Sequence, residues 1–138
     1  MRLVFSVVLA GVVGCGSSGE PRAPVAGKVL WRGQPLSSGA VVFRPDAAKG
    51  NDSKEVALSP IDAEGNYRLN TRIKEGVAPG WYNVAVTAAE ETNAKDPYFT
   101  EWLIPQKYIN PRTSNLRFEV VKEPAPGAYD IKLAPKTK

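Results

Sequence analysis

Apolar and polar residues alternate with a period of two over most of this chain. Val25, Gly27, Val29 and Trp31 interleave with Ala26, Lys28, Leu30 and Arg32, the spacing that sends successive side chains to opposite faces of a strand. Trp31 shares its face with Val25 and Val29 and so belongs with the core. Arg32-Gly33-Gln34-Pro35 reads as a turn, with Gly33 free to take a positive φ. A second strand runs from Ala40 to Arg44, with Val41 and Phe43 on one face and Pro45 ending it. A weaker third, from Lys54 to Ser59, leads into Asp62-Ala63-Glu64-Gly65-Asn66, which fits a type I turn with Gly65 in the left-handed position beside a bulge. Tyr67 and Leu69 open a fourth strand. Pro79-Gly80 introduces a fifth, where Tyr82, Val84 and Val86 face one way and Trp81, Asn83, Ala85 and Thr87 the other. Leu116, Phe118 and Val120 alternate in a sixth, and Tyr129, Ile131 and Leu133 in a seventh. No amphipathic helix of ordinary length competes. Seven short strands in about 110 residues, separated by turn signals, predict an all-β, seven-stranded sandwich.

Two stretches depart from this pattern. Residues 89–115 form a connection of 27 residues without an obvious strand, and loops of that length are uncommon and usually functional. Tyr98, Phe99, Trp102 and Tyr108 make this one aromatic enough to pack against something. At the other extreme, Met1 and Arg2 precede an apolar run from Leu3 to Val13. A helix of that length covers about half of a hydrocarbon core roughly 30 Å thick, too little to span it. A secretory signal fits better. The run ends in Val12-Val13-Gly14-Cys15, and the Gly, Ser and Pro residues that follow read as a tether, stiffened at its distal end by Pro21 and Pro24. The expected organisation is a signal peptide over 1–14, a flexible tether over 15–24, the sandwich over 25–135 and a basic tail over 136–138.

Composition narrows the chemistry. The chain has 138 residues, no histidine and one cysteine. Those absences remove Ser-His-Asp and Cys-His nucleophiles, histidine metal sites and an intrachain disulfide. Lys and Arg exceed Asp and Glu by 18 to 14, giving a formal charge of +4. The basic residues are scattered and leave no nucleic-acid footprint. A Ser–Lys pair could draw on Ser37, Ser38, Ser53 or Ser59, but nothing in the sequence sets one beside a lysine of lowered pKa. The chain reads as a non-enzyme without a cofactor. Asp62, Glu64 and Asn66 begin like a calcium loop, but Ile73 stands where the twelfth-position acid belongs, and a hairpin turn explains all three without a metal. Asn51-Asp52-Ser53 matches a glycosylation acceptor and reads as incidental.

The aromatic residues are the best ligand candidates. Sugar C–H faces stack on flat rings, which nominates Trp81, Trp102, Tyr98 and Tyr108. The competing expectation is that the 89–115 loop folds back and buries Trp102 on Trp81 as a satellite cluster.

Two resemblances add to this reading. Val12-Val13-Gly14-Cys15 resembles a bacterial lipobox, which implies cleavage before Cys15 and a thioether-linked diacylglycerol, with a palmitate-type acyl chain, on the new first residue. Gly16 rather than Asp after it is similar to the pattern sorted to an outer membrane. The implied location is the cell membrane or outer membrane, lipid-anchored and facing the periplasm or exterior. Separately, VAGKVLWRGQPLSSGAVVFRP (25–45), IDAEGNYRL (61–69), VAPGWYNVAVTA (77–88) and IPQKYINPRTSNLRFEV (104–120) together resemble a carboxypeptidase regulatory-like domain. That resemblance covers 25–133 and implies a transthyretin-like sandwich without catalysis, and it transfers no catalytic or ligand residue. The leading expectation is an envelope lipoprotein whose sandwich has an interaction or structural role, its partner the lipid membrane through acylated Cys15. A carbohydrate- or small-ligand-binding module, and an accessory subunit offering a strand edge to an envelope protein, are the alternatives.

Overall fold

The computed structural model describes residues 21–72, 74–88 and 102–135. Cys15, the expected signal peptide over 1–14, Tyr98 and the tail 136–138 lie outside the described residues. The strands are β1 (Ala26–Trp31), β2 (Gln34–Pro35), β3 (Ala40–Pro45), β4 (Ala57–Pro60), β5 (Asn66–Arg68), β6 (Gly80–Thr87), β7 (Leu116–Val120) and β8 (Ile131–Leu133). They form an all-β sandwich of two four-stranded sheets. In the first, β1 pairs antiparallel with β2 and β5 and parallel with β8. The second is antiparallel throughout, in the order β4-β3-β6-β7.

The count is eight rather than seven, and β2 is the addition. The turn itself is only Arg32 and Gly33, at φ 52 and 77. Two successive positive φ values give the two-residue hairpin whose twist matches its strands. Gln34 and Pro35 therefore return at once onto Trp31 and Leu30. Val29 fixes the layout of this sheet. Its N–H donates to the Gly65 carbonyl (2.8 Å), and its carbonyl accepts from the Leu36 N–H (2.9 Å). Both groups of one strand residue point the same way, so β5 and β2 lie end to end on one side of β1, with β8 on the other.

The alternation carries through to packing. Val25, Val29, Val41, Phe43, Tyr82, Val84 and Val86 are all buried. Trp31 is half-buried at the margin of this core, with the Arg32 guanidinium 5.0 Å from its ring centre. Phe43 is the hub of the aromatic packing. Its ring stacks on Phe118 at 5.9 Å and meets Tyr82 at 5.8 Å and Tyr67 at 6.3 Å. Those contacts join β3, β6 and β7 of one sheet to β5 of the other.

The folded body begins before Val25. Ala23 is 1% exposed and exchanges two backbone hydrogen bonds with Val77, at 2.8 and 2.9 Å. Arg22 and Ala23 thus belong to the sandwich and not to a flexible tether ending at residue 24. A composition of Gly, Ser and Pro predicts a linker, but a partner strand far along the chain outweighs it.

The two sides of the sandwich are closed differently. On one side the chain leaving β5 crosses between sheets, and Asn70 bridges to Leu58 in β4. On the other, no pairing joins β7 to β8 among the described residues, and tyrosine hydroxyls take over. Tyr129 accepts from the Val121 N–H just past β7 (3.1 Å), while Tyr108 accepts from the Ala134 N–H just past β8 (2.9 Å). Tyr67, on β5, reaches beneath β1 to donate its hydroxyl to the Tyr129 carbonyl. It passes at Gly27, where a Cβ would stand 2.5 Å from that carbonyl oxygen and 3.0 Å from the Tyr67 ring. Burial pushes the Tyr67 phenol well above its ordinary value, with the charges of Asp130 and Tyr129 adding to the shift.

Gly27→Ala is therefore expected to cost about 3 kcal/mol in urea unfolding, because backbone must move to admit the methyl group. Tyr67→Phe is expected to cost about 1–2 kcal/mol at neutral pH. With a folded pKa above the unfolded value of about 10, the Tyr67 contribution is intact below that pH and is lost as pH rises beyond it. Unfolding midpoints measured across that range should fall for wild type and flatten in Tyr67→Phe.

Candidate functional site

The three aromatic candidates among the described residues, Trp81, Trp102 and Tyr108, do not assemble into one surface. Trp81, near the start of β6, is half-buried, and the Lys49 ammonium sits 4.1 Å from its ring centre. Its carbonyl accepts from the Asp46 N–H (3.0 Å) and from Asn51 Nδ2 (2.8 Å). Asn51 is itself only 7% exposed, so the amide of the apparent glycosylation acceptor is consumed in fastening the 46–51 turn to β6. Trp102 is 36% exposed at the far end of the same strand, where the adjacent Leu103 N–H donates to the Ala88 carbonyl (3.0 Å). Trp81 and Ala88 are seven residues apart along an extended chain, which is about 23 Å. That span rules out both a shared binding platform and the satellite cluster of Trp102 on Trp81. Tyr108 is 4% exposed, with its hydroxyl bonded to both the N–H and the carbonyl of Ala134, so its ring is a packing element and not a stacking surface. Tyr98 lies outside the described residues.

The distal part of the long connection acts as a plug. Ile104 and Tyr108 join the core, with a single 3₁₀ turn at Gln106–Tyr108 presenting the tyrosine. Thr113 donates its hydroxyl to the Lys107 carbonyl (2.8 Å), and buried Ser114 donates to the Val84 carbonyl of β6. Asn110 Oδ1 accepts from the Arg112 N–H at 2.9 Å. The side chains of Asn110, Thr113 and Ser114 thus satisfy backbone groups, either of their own segment or of β6.

The hairpin between β4 and β5 is likewise built for structure. Asp62 Oδ1 accepts from the N–H groups of Asn66 (2.8 Å) and Glu64 (3.0 Å). The Asn66 amide is the main reason its carboxyl titrates below the ordinary carboxylate range, against a smaller opposing effect of burial. Among the described residues no group of three or more Cys, Asp or Glu side chains is placed to hold a metal ion. An open groove of about 890 Å³ adjoins this hairpin, with Lys28, Arg68, Asp62 and Asp130 on its walls. Both of its carboxylates are engaged with backbone, Asp130 Oδ1 accepting from the Lys28 N–H at 3.0 Å. Ser59, also on its wall, donates to the Pro60 carbonyl (2.8 Å) and accepts from the Arg68 N–H (2.9 Å). A hydroxyl so occupied pins two strands and is not poised as a nucleophile.

Among the described residues, the most heavily bonded polar side chain is one that sequence reasoning passed over. Arg22 Nη1 lies 2.9 Å from a Glu55 carboxylate oxygen, and Nη2 donates to the Gly76 carbonyl (2.8 Å) and to the Thr71 hydroxyl. Nε reaches the Glu75 carbonyl at 3.2 Å. The guanidinium fork binds three segments at once, as its planar geometry allows. A lone arginine among Gly, Ser and Pro carries no local signal of that role. Beside it, Val56 and Leu58 project outward from the second sheet at 43% and 53% exposure.

Compared with known proteins, the chain matches no family model, no curated protein and no solved structure. Among the described residues no helix is long and apolar enough to cross a membrane.

Truncating Trp81 separates packing from binding. Trp81→Ala is expected to lower stability by about 2 kcal/mol in urea unfolding, roughly half the usual loss for a fully buried ring. A variant with unchanged stability and lost affinity for a glycan would mark Trp81 as a ligand contact instead.

Proposed function

We propose that this protein is a lipid-anchored lipoprotein of the bacterial cell envelope, whose transthyretin-like sandwich serves a non-catalytic interaction or structural role. The observation that carries the reading is the position of the one cysteine. Cys15 follows the small-residue end of an apolar run too short to span a bilayer, seven residues before Arg22, which is bonded to the folded body. A diacylglyceryl thioether together with an N-acyl chain gives more than one hydrophobic signal. At about 0.8 kcal/mol per buried methylene, several chains hold firmly where one is marginal. The folded body supports the reading through its stiff joint with the tether. Arg22 and Ala23 are bonded to the sandwich, so the residues between Cys15 and Arg22 reach at most about 25 Å when fully extended. The body then stands beside its membrane.

The resemblance to carboxypeptidase regulatory-like domains fits the same picture. The groups those motifs supply (Gly27, Tyr67, Tyr108, Ser114) are occupied in closing the sandwich, which suits a domain used as a platform.

Fractionation of native envelopes tests the proposal. Wild-type protein is expected in the membrane pellet and the detergent phase, and Cys15→Ala in unprocessed form or in the soluble fraction. Wild-type protein recovered from the soluble fraction would contradict it.

A further inference from the structure

We infer that the outer face of β4, with Val56, Leu58 and the neighbouring Val42, lies against the phospholipid headgroup layer of the membrane that holds the chain. The inference rests on the lipid anchor at Cys15 proposed above and adds an orientation to it. The pleat sets these side chains apart from the core. Ala57 and Ser59 point inward and are buried, while Val56 and Leu58 point out and are the most exposed large aliphatic residues among those described. Val42 stands beside Leu58 in the β3–β4 register and extends the strip by one strand. Two adjoining hollows, of about 530 and 470 Å³, share Val56, Thr71 and Arg72 on their walls.

The occupant follows from where the chain enters the body. Arg22, the second of the described residues, is ion-paired at 2.9 Å with Glu55, the residue before Val56. The same guanidinium bonds to Thr71, the residue before Arg72. The described chain therefore begins at the rim of the apolar strip, and acyl chains on Cys15, a few residues upstream, would draw that rim toward the bilayer.

Charge agrees with this placement. Exposed Lys54 and Arg72 flank the strip, and long basic side chains lie along apolar surface while their heads reach lipid phosphates. Of the nearby acids, Glu55 is neutralised by Arg22 and Glu75 lies 3.9 Å from Arg68. A strip of two or three aliphatic side chains is too small to hold a protein to a membrane alone, but it suffices to orient one already tethered.

Acylation of Cys15 leaves an introduced cysteine as the single free thiol, which permits a direct test. The full-length lipidated chain carrying Leu58→Cys, or Lys132→Cys on the opposite sheet, is labelled with one polarity-sensitive dye. It is then reconstituted in vesicles of phosphatidylethanolamine and phosphatidylglycerol. The dye at 58 is expected to be at least about threefold better shielded from aqueous iodide than the dye at 132, and to be quenched by lipid carrying a headgroup nitroxide. Equal iodide quenching at the two sites in protein that floats with the vesicles overturns the orientation and leaves the anchor standing. Shielding at 58 without nitroxide quenching also overturns it, in favour of contact with a second copy of the chain. Protein whose Cys15 is unacylated and which fails to float overturns the anchor and the orientation together. Val56→Asp with Leu58→Cys provides a control for the label, and nitroxide quenching at 58 should drop about threefold when the aliphatic neighbour becomes charged.

Discussion

The Tyr67 hydroxyl bonds to the Tyr129 carbonyl beneath β1, and the arrangement of the rest of the sandwich depends on that crossing. It ties β5 to the segment that enters β8, and it is open only because residue 27 has no side chain. Tyr129, once held there, offers its own hydroxyl to Val121 at the end of β7. Its ring also meets Phe118 edge-on at 6.3 Å, so the crossing feeds directly into the Phe43 cluster. The Tyr67 and Tyr129 hydroxyls each bond a backbone group at this crossing, and buried backbone groups left unpaired are costly. No described side-chain nitrogen or oxygen is buried without a hydrogen bond.

The same economy limits what the body does chemically. Aromatic and hydroxyl groups are the reactive or stacking inventory of a chain without histidine, and among the described residues several of them are engaged in closure. Tyr108 and Ser114 fasten the distal loop, Asn51 fastens the 46–51 turn, and Ser59 pins β4 to β5. Among the described residues, Val56 and Leu58 are the most exposed large aliphatic side chains, and they lie beside Arg22, close to the first described residues. The proposed platform beside a lipid surface is consistent with that distribution, and the bonds of Arg22 fix one edge of the folded body.

The long alternating strands were legible in the sequence because burial of one face dictates their period. β1, β3, β6 and β7 appear where Val29, Phe43, Val84 and Phe118 place them. β2 was not, since two residues including a proline carry no periodicity, and only the paired positive φ values of Arg32 and Gly33 reveal it. The docking of Arg22 and Ala23 was illegible for a different reason. Its partners, Val77, Glu55 and Thr71, are distant in sequence, whereas linker composition is a local signal. For the tryptophans, periodicity gave the face of Trp81 but not the distance along β6 that divides it from Trp102. The 104–116 motif stood out by resemblance, yet its role as a plug follows only from where Tyr108 and Ser114 end.

The proposed membrane-held platform requires Cys15 to be its acylated first residue. Intact-mass analysis of the protein purified from its native envelope tests this most directly. The account predicts a chain starting at Cys15 and heavier than its amino-acid mass by a diacylglyceryl group and an acyl chain. A mature chain starting elsewhere, or carrying an unmodified Cys15, would contradict it.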